Sequence, residues 1–443
     1  MDINKLKNKN ICLIRGSFIG VLILIISLLW MNIFHPKTFV QNKTDNSGSF
    51  LKAIVEVNKA QRWKPLIPRK QEKGHAPVSL LKNVVIYDKN KSSLGYNLFI
   101  SSNTLGATLM DMDGKTIHQW RFDFTFLPVI AQGYHGQYWA NARILKNGDL
   151  LALVPFSGLL KIDKKSNLIW FTKIICHHDF DIDSNGNIYT FTVKNSESGD
   201  TAGLMVDSIT ILSPNGKIKK EISLYDLFKK YPDPAYINKI NKWGRGRDSK
   251  AYLAYDVHVH LTGDAFHCNA LQVLDGKWAS KIPAFKKGNV LINIRNLGVI
   301  ICVDPDKEEI VWLMDKAFWS MGQHFAKLLD NGNILIFDNL YRPDLSRVVE
   351  FDPAAKKIVW DYSGENGWFF SLYLGQCYRL PNGNTLITES FNGHSFEVTP
   401  DKKIVWEFYN PNQADTGRYN KLISITKQMQ RIPIDSALDW LKN

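Results

Sequence analysis

The chain has 443 residues, of which 45% are hydrophobic and 12% aromatic, a composition typical of globular proteins rather than disordered ones. Its net charge of +13 suggests a nucleic-acid partner until the charge is divided along the chain. Residues 1–95 hold 16 basic and 5 acidic side chains, whereas residues 96–443 hold 39 and 37. The main body is nearly neutral, and we therefore expect no nucleic-acid partner.

The first predicted element is a membrane segment at 16–34, which carries no charge across 19 residues. At about 1.5 Å per residue it nearly spans a hydrocarbon core of about 30 Å. Residues 1–15 are basic and should stay in the cytoplasm. No Ala-x-Ala-like cleavage site follows the segment. We predict a retained single-pass signal anchor in the cell membrane, with the rest of the chain facing the periplasm or exterior. A cleaved signal peptide is the alternative.

Residues 35–95 are polar and lysine-rich and are interpreted as a tether with one strand near 84–87. A repeated phrase then begins, in which a turn and a few polar residues precede an apolar pair that ends in Trp. It occurs at 111–120, 161–170, 303–312, 351–360 and 399–406, with a copy lacking the Trp at 212–222. Neighbouring tryptophans lie 50, 48 and 46 residues apart. A period of about 40–50 residues made of short strands is typical of a β-propeller.

A second marker is an apolar strand entered through an Asn-Gly or Gly-Asn turn, which is typical of antiparallel hairpins. It occurs at 145–153, 183–191, 286–294, 329–337 and 380–388. Six terminal hairpins predict an all-β fold, a six-bladed β-propeller over 96–411. An irregular insertion occupies 223–263, and a C-terminal tail at 412–443 ends in a short amphipathic helix. The sequence leaves open which strands close the ring and complete the first blade.

The cysteines and histidine pairs give little sign of a metal or a disulfide. Cys12 lies beside the membrane segment, and four cysteines lie in the exported part: Cys176, Cys268, Cys302 and Cys377. An oxidising compartment permits a disulfide, but an even count does not establish one. No Cys-x-x-Cys pair indicates zinc, and the pair His258 and His260 lacks an evident third ligand. We expect neither a metal nor a cofactor.

Two histidines share one position in the repeat. His178 stands eight residues before Gly186, and His324 stands eight residues before Gly332. Both therefore enter the first strand of a blade, the strand that lines the central channel of a propeller. A single histidine at such a place is more often a hydrogen-bonded packing residue than a catalyst.

Three further polar residues are expected near the same channel mouth. His267 enters the first strand of the fourth blade, with Asn269 two residues later on the same strand face. Arg295 ends the following strand. Histidines from three successive blades would thus converge with an arginine and an asparagine, which suits a tetrahedral oxyanion. A neutral imidazole is a competent nucleophile. No Gly-x-Ser-x-Gly motif or glycosidase carboxylate pair accompanies the group.

Several of these stretches resemble the bacterial arylsulfotransferases. The similar phrases include HHDFDIDSNGNIY at 177–189, DAFHCNALQVL at 264–274, NVLINIRNLGVIICVDP at 289–305 and GQHFAKLLDNGNILIFDN at 322–339. The resemblance covers roughly residues 97–411. It implies a six-bladed propeller that transfers a sulfuryl group from an aryl sulfate to a phenol, without a cofactor or an adenylyl sulfate donor, by a ping-pong mechanism through a sulfohistidine.

The resemblance also implies roles for the candidate residues. His324 would be the nucleophile, and Asn269 would bind substrate. His178, His267 and Arg295 would bind the sulfate oxygens and stabilise the transition state, with a histidine handling the phenol proton. His178 is preferred to His177 because alternation along a strand turns the neighbour to the other side.

The chain departs from the better-studied members of that family at two places. Those members carry a sizeable N-terminal β domain where this chain has a tether, and the 223–263 insertion has no obvious counterpart in them. A non-catalytic propeller that binds an anionic ligand or a protein partner is the alternative function. A sulfatase that releases sulfate to water is a third.

Overall fold

The computed structural model describes residues 81–122, 138–196, 199–244, 263–315, 319, 322–342, 345–364, 369–371, 373–412, 423–434 and 439–441. The predicted anchor at 16–34 lies outside these ranges, as does most of the predicted tether. Within the described ranges, no helix is long and apolar enough to cross a membrane.

The described strands form six antiparallel sheets, which are the blades of a six-bladed β-propeller, and the predicted fold is confirmed in this respect. Blade 1 consists of β25 (Thr426–Pro433), β2 (Gly95–Ser101), β3 (Gly106–Met110) and β4 (Thr116–Arg121). Blade 2 consists of β5 (Asn141–Ile144), β6 (Leu150–Val154), β7 (Gly158–Ile162) and β8 (Leu168–Lys173). Blade 3 consists of β9 (Cys176–Ile182), β10 (Ile188–Asn195), β11 (Met205–Leu212) and β12 (Ile218–Ser223).

The other three blades follow the same order from the innermost strand outward. Blade 4 consists of β13 (Cys268–Val273), β14 (Val290–Ile294), β15 (Val299–Asp304) and β16 (Glu309–Met314). Blade 5 consists of β17 (His324–Leu328), β18 (Ile334–Arg342), β19 (Leu345–Asp352) and β20 (Lys357–Tyr362). Blade 6 consists of β21 (Gln376–Arg379), β22 (Thr385–Glu389), β23 (His394–Val398), β24 (Ile404–Tyr409) and an outer fifth strand, β1 (Asn83–Tyr87).

Both ends of the domain take part in closing the ring. β25 is the innermost strand of blade 1, and β1 covers the outer edge of blade 6. Both strands lie outside the predicted range of 96–411, so the propeller extends beyond that range at each end. The tail that was expected to end in a helix supplies β25 and, after it, only a 3-10 turn at Asp439–Leu441 among its described residues.

The repeated tryptophans join neighbouring blades. The indole nitrogen of Trp120 in blade 1 donates to Gly148 O in blade 2, at 3.1 Å. That of Trp406 in blade 6 donates to Met112 O in blade 1, at 2.9 Å. Both side chains are fully buried. Each therefore satisfies its one polar atom at a turn of the next blade while its ring fills the space between the two sheets.

The insertion after blade 3 begins with two helices, α1 (Leu224–Lys230) and α2 (Pro234–Gly244), where the sequence predicted irregular structure. The Ser223 side chain accepts a hydrogen bond from the Asp226 backbone N–H and so caps α1. The apolar face of α1, which includes Leu227 and Phe228, is buried in the core shared by blades 3 and 4. His258 and His260, the weak candidate metal pair, lie outside the described residues.

The four cysteines of the propeller are free and buried: Cys176, Cys268, Cys302 and Cys377. No disulfide joins any of them. Burial raises the pKa of each thiol above its usual value, so these cysteines act as small apolar core residues.

Candidate functional site

The backbone is irregular at the start of three successive inner strands, β9, β13 and β17. The register of each with its hairpin partner shifts near its start, as at a β-bulge. A left-handed backbone accompanies each shift, with φ of 61° at His178, 50° at His267 and 49° at Phe325. Non-glycine residues adopt this conformation at a cost, and bulges redirect side chains. The three entries thus turn side chains away from the regular strand alternation at one end of the channel.

Side chains of one inner strand accept hydrogen bonds from the backbone N–H groups along the edge of the next inner strand. Asp179 in β9 accepts from Leu271 N of β13 at 3.0 Å, and Asp181 accepts from Val273 N at 2.8 Å. Gln272 of β13 accepts from Leu328 N of β17 at 2.7 Å. Unpaired backbone N–H groups along an inner edge would otherwise cost free energy. These bonds also fix the relative height of the three strands that carry the candidate histidines.

His324 is the first residue of β17, and its Nδ1 atom has two hydrogen-bond partners. Its Nδ1 lies 2.7 Å from Asn339 Oδ1 and 2.9 Å from Gly322 O. Asn339 Nδ2 donates to Ser371 O and Leu374 O, at 2.8 and 2.6 Å, which orients the amide with its oxygen toward His324. Because both neighbours of Nδ1 are acceptors, Nδ1 carries the proton and Nε2 keeps its lone pair.

The surroundings of His324 keep it neutral. Burial, followed by the positive charges of Arg295 and His267, lowers the pKa of His324 to about 3. The imidazole is therefore unprotonated at neutral pH, which is the form that can attack an electrophile. Asn269 and Asn293 of blade 4 both donate to Gln323 O at 3.0 Å, so the strands that carry His267 and Arg295 lie beside the start of β17.

His178 lies against His267, with ring centroids 4.8 Å apart. Its neighbour His177 is buried between the rings of Phe156 and Phe191, and the two Nδ1 atoms of the histidine pair lie 2.8 Å apart. His177 Nε2 lies 3.3 Å from Asp207 Oδ1. The strand thus places His178 at the cluster and His177 behind it.

The pKa of His178 is lowered well below its usual value, first by burial and then by the nearby charges of other residues. These residues are His267, His177, His324 and Lys427. His178 is accordingly neutral at neutral pH and can donate or accept a proton.

His267 is oriented by a carboxylate three residues earlier. Its Nδ1 lies 2.5 Å from Asp264 Oδ2, and its backbone N–H donates to Asp264 Oδ1 at 2.9 Å. An Asp that accepts from Nδ1 fixes the orientation of the ring and leaves Nε2 as its other polar atom. The ring is only partly buried, with 21% of the side chain exposed. His267 is therefore a partly exposed imidazole held in place by a carboxylate.

Arg295 and Asn269 lie in the same region of blade 4 and are both buried. Arg295 Nη1 donates to Asn296 Oδ1 at 2.8 Å, and its guanidinium lies 6.0 Å from the Tyr373 ring centroid. Asn269 Nδ2 donates to Gln323 O at 3.0 Å, and its Oδ1 accepts from Asn293 at 2.5 Å. Asn269 therefore supports the residue that precedes His324, and one of its N–H groups is left for other partners.

The five predicted residues therefore come together around one channel mouth, on blades 3, 4 and 5. Within the described part of the chain, no group of three or more His, Cys, Asp or Glu side chains has the arrangement of a metal site. A neutral histidine with a presented lone pair, a guanidinium and two further imidazoles form a site suited to an anionic group that is attacked at its centre.

The family model of the arylsulfotransferases (ASST) matches residues 144–411, which include all five of these residues. The chain belongs to the arylsulfotransferase family. A search of curated proteins finds no match.

Several solved structures are similar in shape to this arylsulfotransferase-family chain. A protein of unknown function from Bacteroides caccae is 13% identical, with a TM-score of 0.46 over 75% of this chain and 99% of that one. A streptogramin B lyase is 10% identical, with a TM-score of 0.42 over 80% and 94%. An inactive virginiamycin B lyase from Staphylococcus aureus is 9% identical, with a TM-score of 0.41 over 74% and 87%.

Sequence reasoning missed three residues of this arylsulfotransferase-family site. Asn339 stands seven residues after the turn Gly332, as Arg295 stands seven residues after the turn Gly288, so the repeat itself could have revealed it. Asp264 precedes His267 by three residues, a spacing with little meaning outside this loop. Lys427 lies on β25, which the sequence did not assign to the propeller at all.

Proposed function

We propose that this protein is an aryl-sulfate sulfotransferase, which moves a sulfuryl group from an aryl sulfate ester to a phenol through a sulfohistidine at His324. The observation that carries the proposal is the state of His324, a neutral ring whose Nδ1–H is held by Asn339 and Gly322. Membership in the arylsulfotransferase family supports the same reaction class.

In the donor half-reaction, His324 Nε2 attacks the sulfur of the aryl sulfate and the aryl oxygen leaves. The N–S bond forms as the S–O bond breaks, and the ring becomes positively charged. Asn339 Oδ1 and Gly322 O accept hydrogen bonds from Nδ1–H throughout the step. They stabilise the positive charge, because hydrogen bonds from a cationic ring are stronger than those from a neutral one.

The three equatorial sulfuryl oxygens carry negative charge during the transfer. Arg295 supplies a permanent positive charge, and the histidines at 178 and 267 supply hydrogen bonds from two further blades. Donors already held by a rigid scaffold stabilise the transition state without reorganisation. Asn269 acts mainly by holding the backbone at Gln323 and secondarily through its remaining N–H.

In the acceptor half-reaction, a phenol enters, loses its proton and attacks the sulfur, and the electron pair of the N–S bond returns to Nε2. The Asp264–His267 pair supplies a hydrogen bond to a sulfuryl oxygen in this step, because the carboxylate holds the His267 ring in place and stabilises it when it is protonated. We further propose that the segment 16–34 anchors the protein in the cell membrane with this site outside the cytoplasm, on the basis of its uncharged length and basic flank.

The test uses the full chain, 4-nitrophenyl sulfate as donor and a simple phenol as acceptor. Release of 4-nitrophenol that depends on the acceptor, together with a sulfurylated His324 found by mass spectrometry when the acceptor is withheld, supports the proposal. His324→Ala should abolish both signals. His118→Gln is the matched control, because His118 lies on the outer strand β4 of blade 1 and bonds Lys164 O in the turn between β7 and β8 of blade 2.

Two outcomes would contradict the proposal. Turnover that needs no acceptor indicates a sulfatase. The absence of turnover and of any sulfurylated histidine across a broad panel of aryl sulfates indicates a propeller that only binds an anionic ligand or a protein.

A further inference from the structure

Lys427 is a buried lysine on the strand that closes the ring. It lies in β25, where Thr426 pairs with Ser101 and Gln428 pairs with Ile100, so Lys427 is the extra residue of a bulge. The bulges of β9, β13 and β17 lie likewise near the starts of their strands. Since all of these are the innermost strands of their blades, Lys427 enters the channel at the same end as the candidate histidines.

The ammonium group of Lys427 has an unusual environment. The residue is 6% exposed, and Nζ lies 4.0 Å from the centroid of the Tyr138 ring. Among the described residues, no carboxylate forms an ion pair with it and no acceptor hydrogen-bonds it. A buried lysine without a partner lowers the stability of the fold, and such residues often bind a ligand. Burial alone lowers its pKa to about 7, so both protonation states are accessible near neutrality.

The direction in which Lys427 points is informative. Tyr138 precedes β5, the inner strand of blade 2, and blades 2 and 5 face each other across a six-membered ring. His324 begins the inner strand of blade 5. The charge of Lys427 also reaches His178, whose pKa it helps to lower. The ammonium therefore approaches the site from the side opposite the nucleophile.

In related phosphoryl transfers the attacking and leaving atoms lie roughly in line on opposite sides of the transferred centre. If His324 Nε2 attacks from blade 5, the aryl oxygen leaves toward blade 2. Resting on the proposed function, we propose that Lys427 contacts this aryl oxygen and is the acid–base residue that carries its proton in both half-reactions.

The proton and charge balance closes without a further reactant. In the donor half-reaction the ammonium of Lys427 gives a proton to the departing phenolate, which leaves as a phenol, and the amine remains. In the acceptor half-reaction the amine takes the proton of the incoming phenol as its oxygen attacks sulfur. Lys427 is thus returned to its ammonium form when His324 regains its lone pair. The Asp264–His267 pair then binds sulfuryl oxygens in both steps instead of moving the proton.

Among the described residues, two titratable groups face Lys427: the Tyr138 phenol before β5 and His178 from β9. Arg431, on the same strand as Lys427, is held by Glu397 and Asn97. None of them places a negative charge beside the ammonium, so a substrate oxygen that gains negative charge would be its strongest partner.

The experiment compares leaving groups in single turnovers of the full chain without acceptor. 4-Nitrophenyl sulfate releases an acidic phenol that needs little protonation, whereas phenyl sulfate releases a basic phenolate. For Lys427→Met we expect less than about a threefold loss with the first donor and a loss of about 100-fold or more with the second, the range typical of general acid catalysis. Lys427→Arg keeps the charge but not the proton transfer, so it should retain the donor step with 4-nitrophenyl sulfate and lose both the donor step with phenyl sulfate and the acceptor step.

Lys402→Met, at an exposed ion pair, is the control and should leave both donors unaffected. Equal losses of Lys427→Met on the two donors, or no loss, would overturn the proposal. If a thermal unfolding curve shows that Lys427→Met is not folded, Lys427→Gln is measured in its place, with the same expected results. If the wild-type chain is inactive, the proposed function itself is wrong. If the wild type is active and Lys427→Met releases both phenols at the wild-type rate, only the role of Lys427 is wrong.

Discussion

Nδ1 of His324 lies 2.7 Å from Oδ1 of Asn339, whose own amide nitrogen is bonded to the carbonyl oxygens of Ser371 and Leu374. The segment containing Ser371 and Leu374 lies just before blade 6, so the orientation of the Asn339 amide beside the blade 5 histidine is fixed by the neighbouring blade. The arrangement leaves Nε2 as the ring nitrogen with a free lone pair.

Asn339→Ala should lower sulfuryl transfer by about 10- to 100-fold, the range typical of residues that orient a reactive ligand. Nδ1 keeps Gly322 O, so the tautomer is weakened rather than lost. The rate of the donor step should fall while the KM for donor changes little. Asn339→Asp is the matched variant: a carboxylate beside Nδ1 should raise the pKa of His324 and move the acid limb of the pH–rate profile upward. An unchanged rate in Asn339→Ala would remove Asn339 from the site.

Asp264→Asn should lower activity by about 100-fold or more, because the amide no longer stabilises a protonated His267 ring. The amide oxygen can still accept from the backbone N–H of His267, so the loop should stay in place. Steady-state rates and a thermal unfolding curve measured on the same preparation separate the two effects. A stable variant with normal activity would show that the carboxylate has no chemical role.

The stability of the protein should fall as the pH falls below about 6.5. In the unfolded chain His324 gains a proton near pH 6.5, whereas the folded protein resists protonation until about pH 3. The unfolded state therefore binds more protons in this window, and the buried ring contributes a loss of at most about 1.4 kcal/mol per pH unit. His324→Gln should unfold with a shallower pH dependence than the wild type between pH 6.5 and 5 in urea titrations. Parallel curves for the two proteins would contradict the buried neutral state of His324.

Arg431→Met should destabilise the fold by about 3–5 kcal/mol, because it leaves Glu397 charged and buried. The two side chains are fully buried, lie 3.0 Å apart and join the closing strand of blade 1 to blade 6. The exposed pair of Lys402 and Asp361, at 2.8 Å, provides the comparison. Lys402→Met should cost less than about 1 kcal/mol in the same denaturant titration. Similar costs for the two variants would show that the buried pair does not hold the ring closed.

The repeat predicted much of the fold because its period is a local property. A turn, a short alternating strand and an apolar pair ending in Trp recur in the printed sequence, and each blade is a single such unit. Trp120 and Trp406, which end two copies of the repeat, are buried between blades. Turns and strand alternation depend on residues within a few positions of one another, so they can be recognised without the structure.

The strands that close the ring could not be predicted from local sequence patterns. β25 pairs with β2 although more than 300 residues separate them, and β1 pairs with β24 over a similar distance. Strand pairing at such separation depends on which edges remain free once the other blades have formed. The segment around Lys427 has no turn signal of its own, so its sequence did not distinguish a strand from a tail.

By itself, the sequence determined that blades of one type repeat, which residues enter their inner strands, and that His178, His267 and His324 share one level. Only the tertiary structure decided the chemistry at that level: Nδ1 of His324 is bonded by Asn339, Asp264 orients His267, and Lys427 enters from the closing strand. Register along a strand is set by neighbouring residues. The protonation state of a side chain, its tautomer and its hydrogen-bond partners depend instead on burial and on groups that folding brings together. The register is therefore readable from the order of residues, whereas the chemical state of the site exists only in the folded protein.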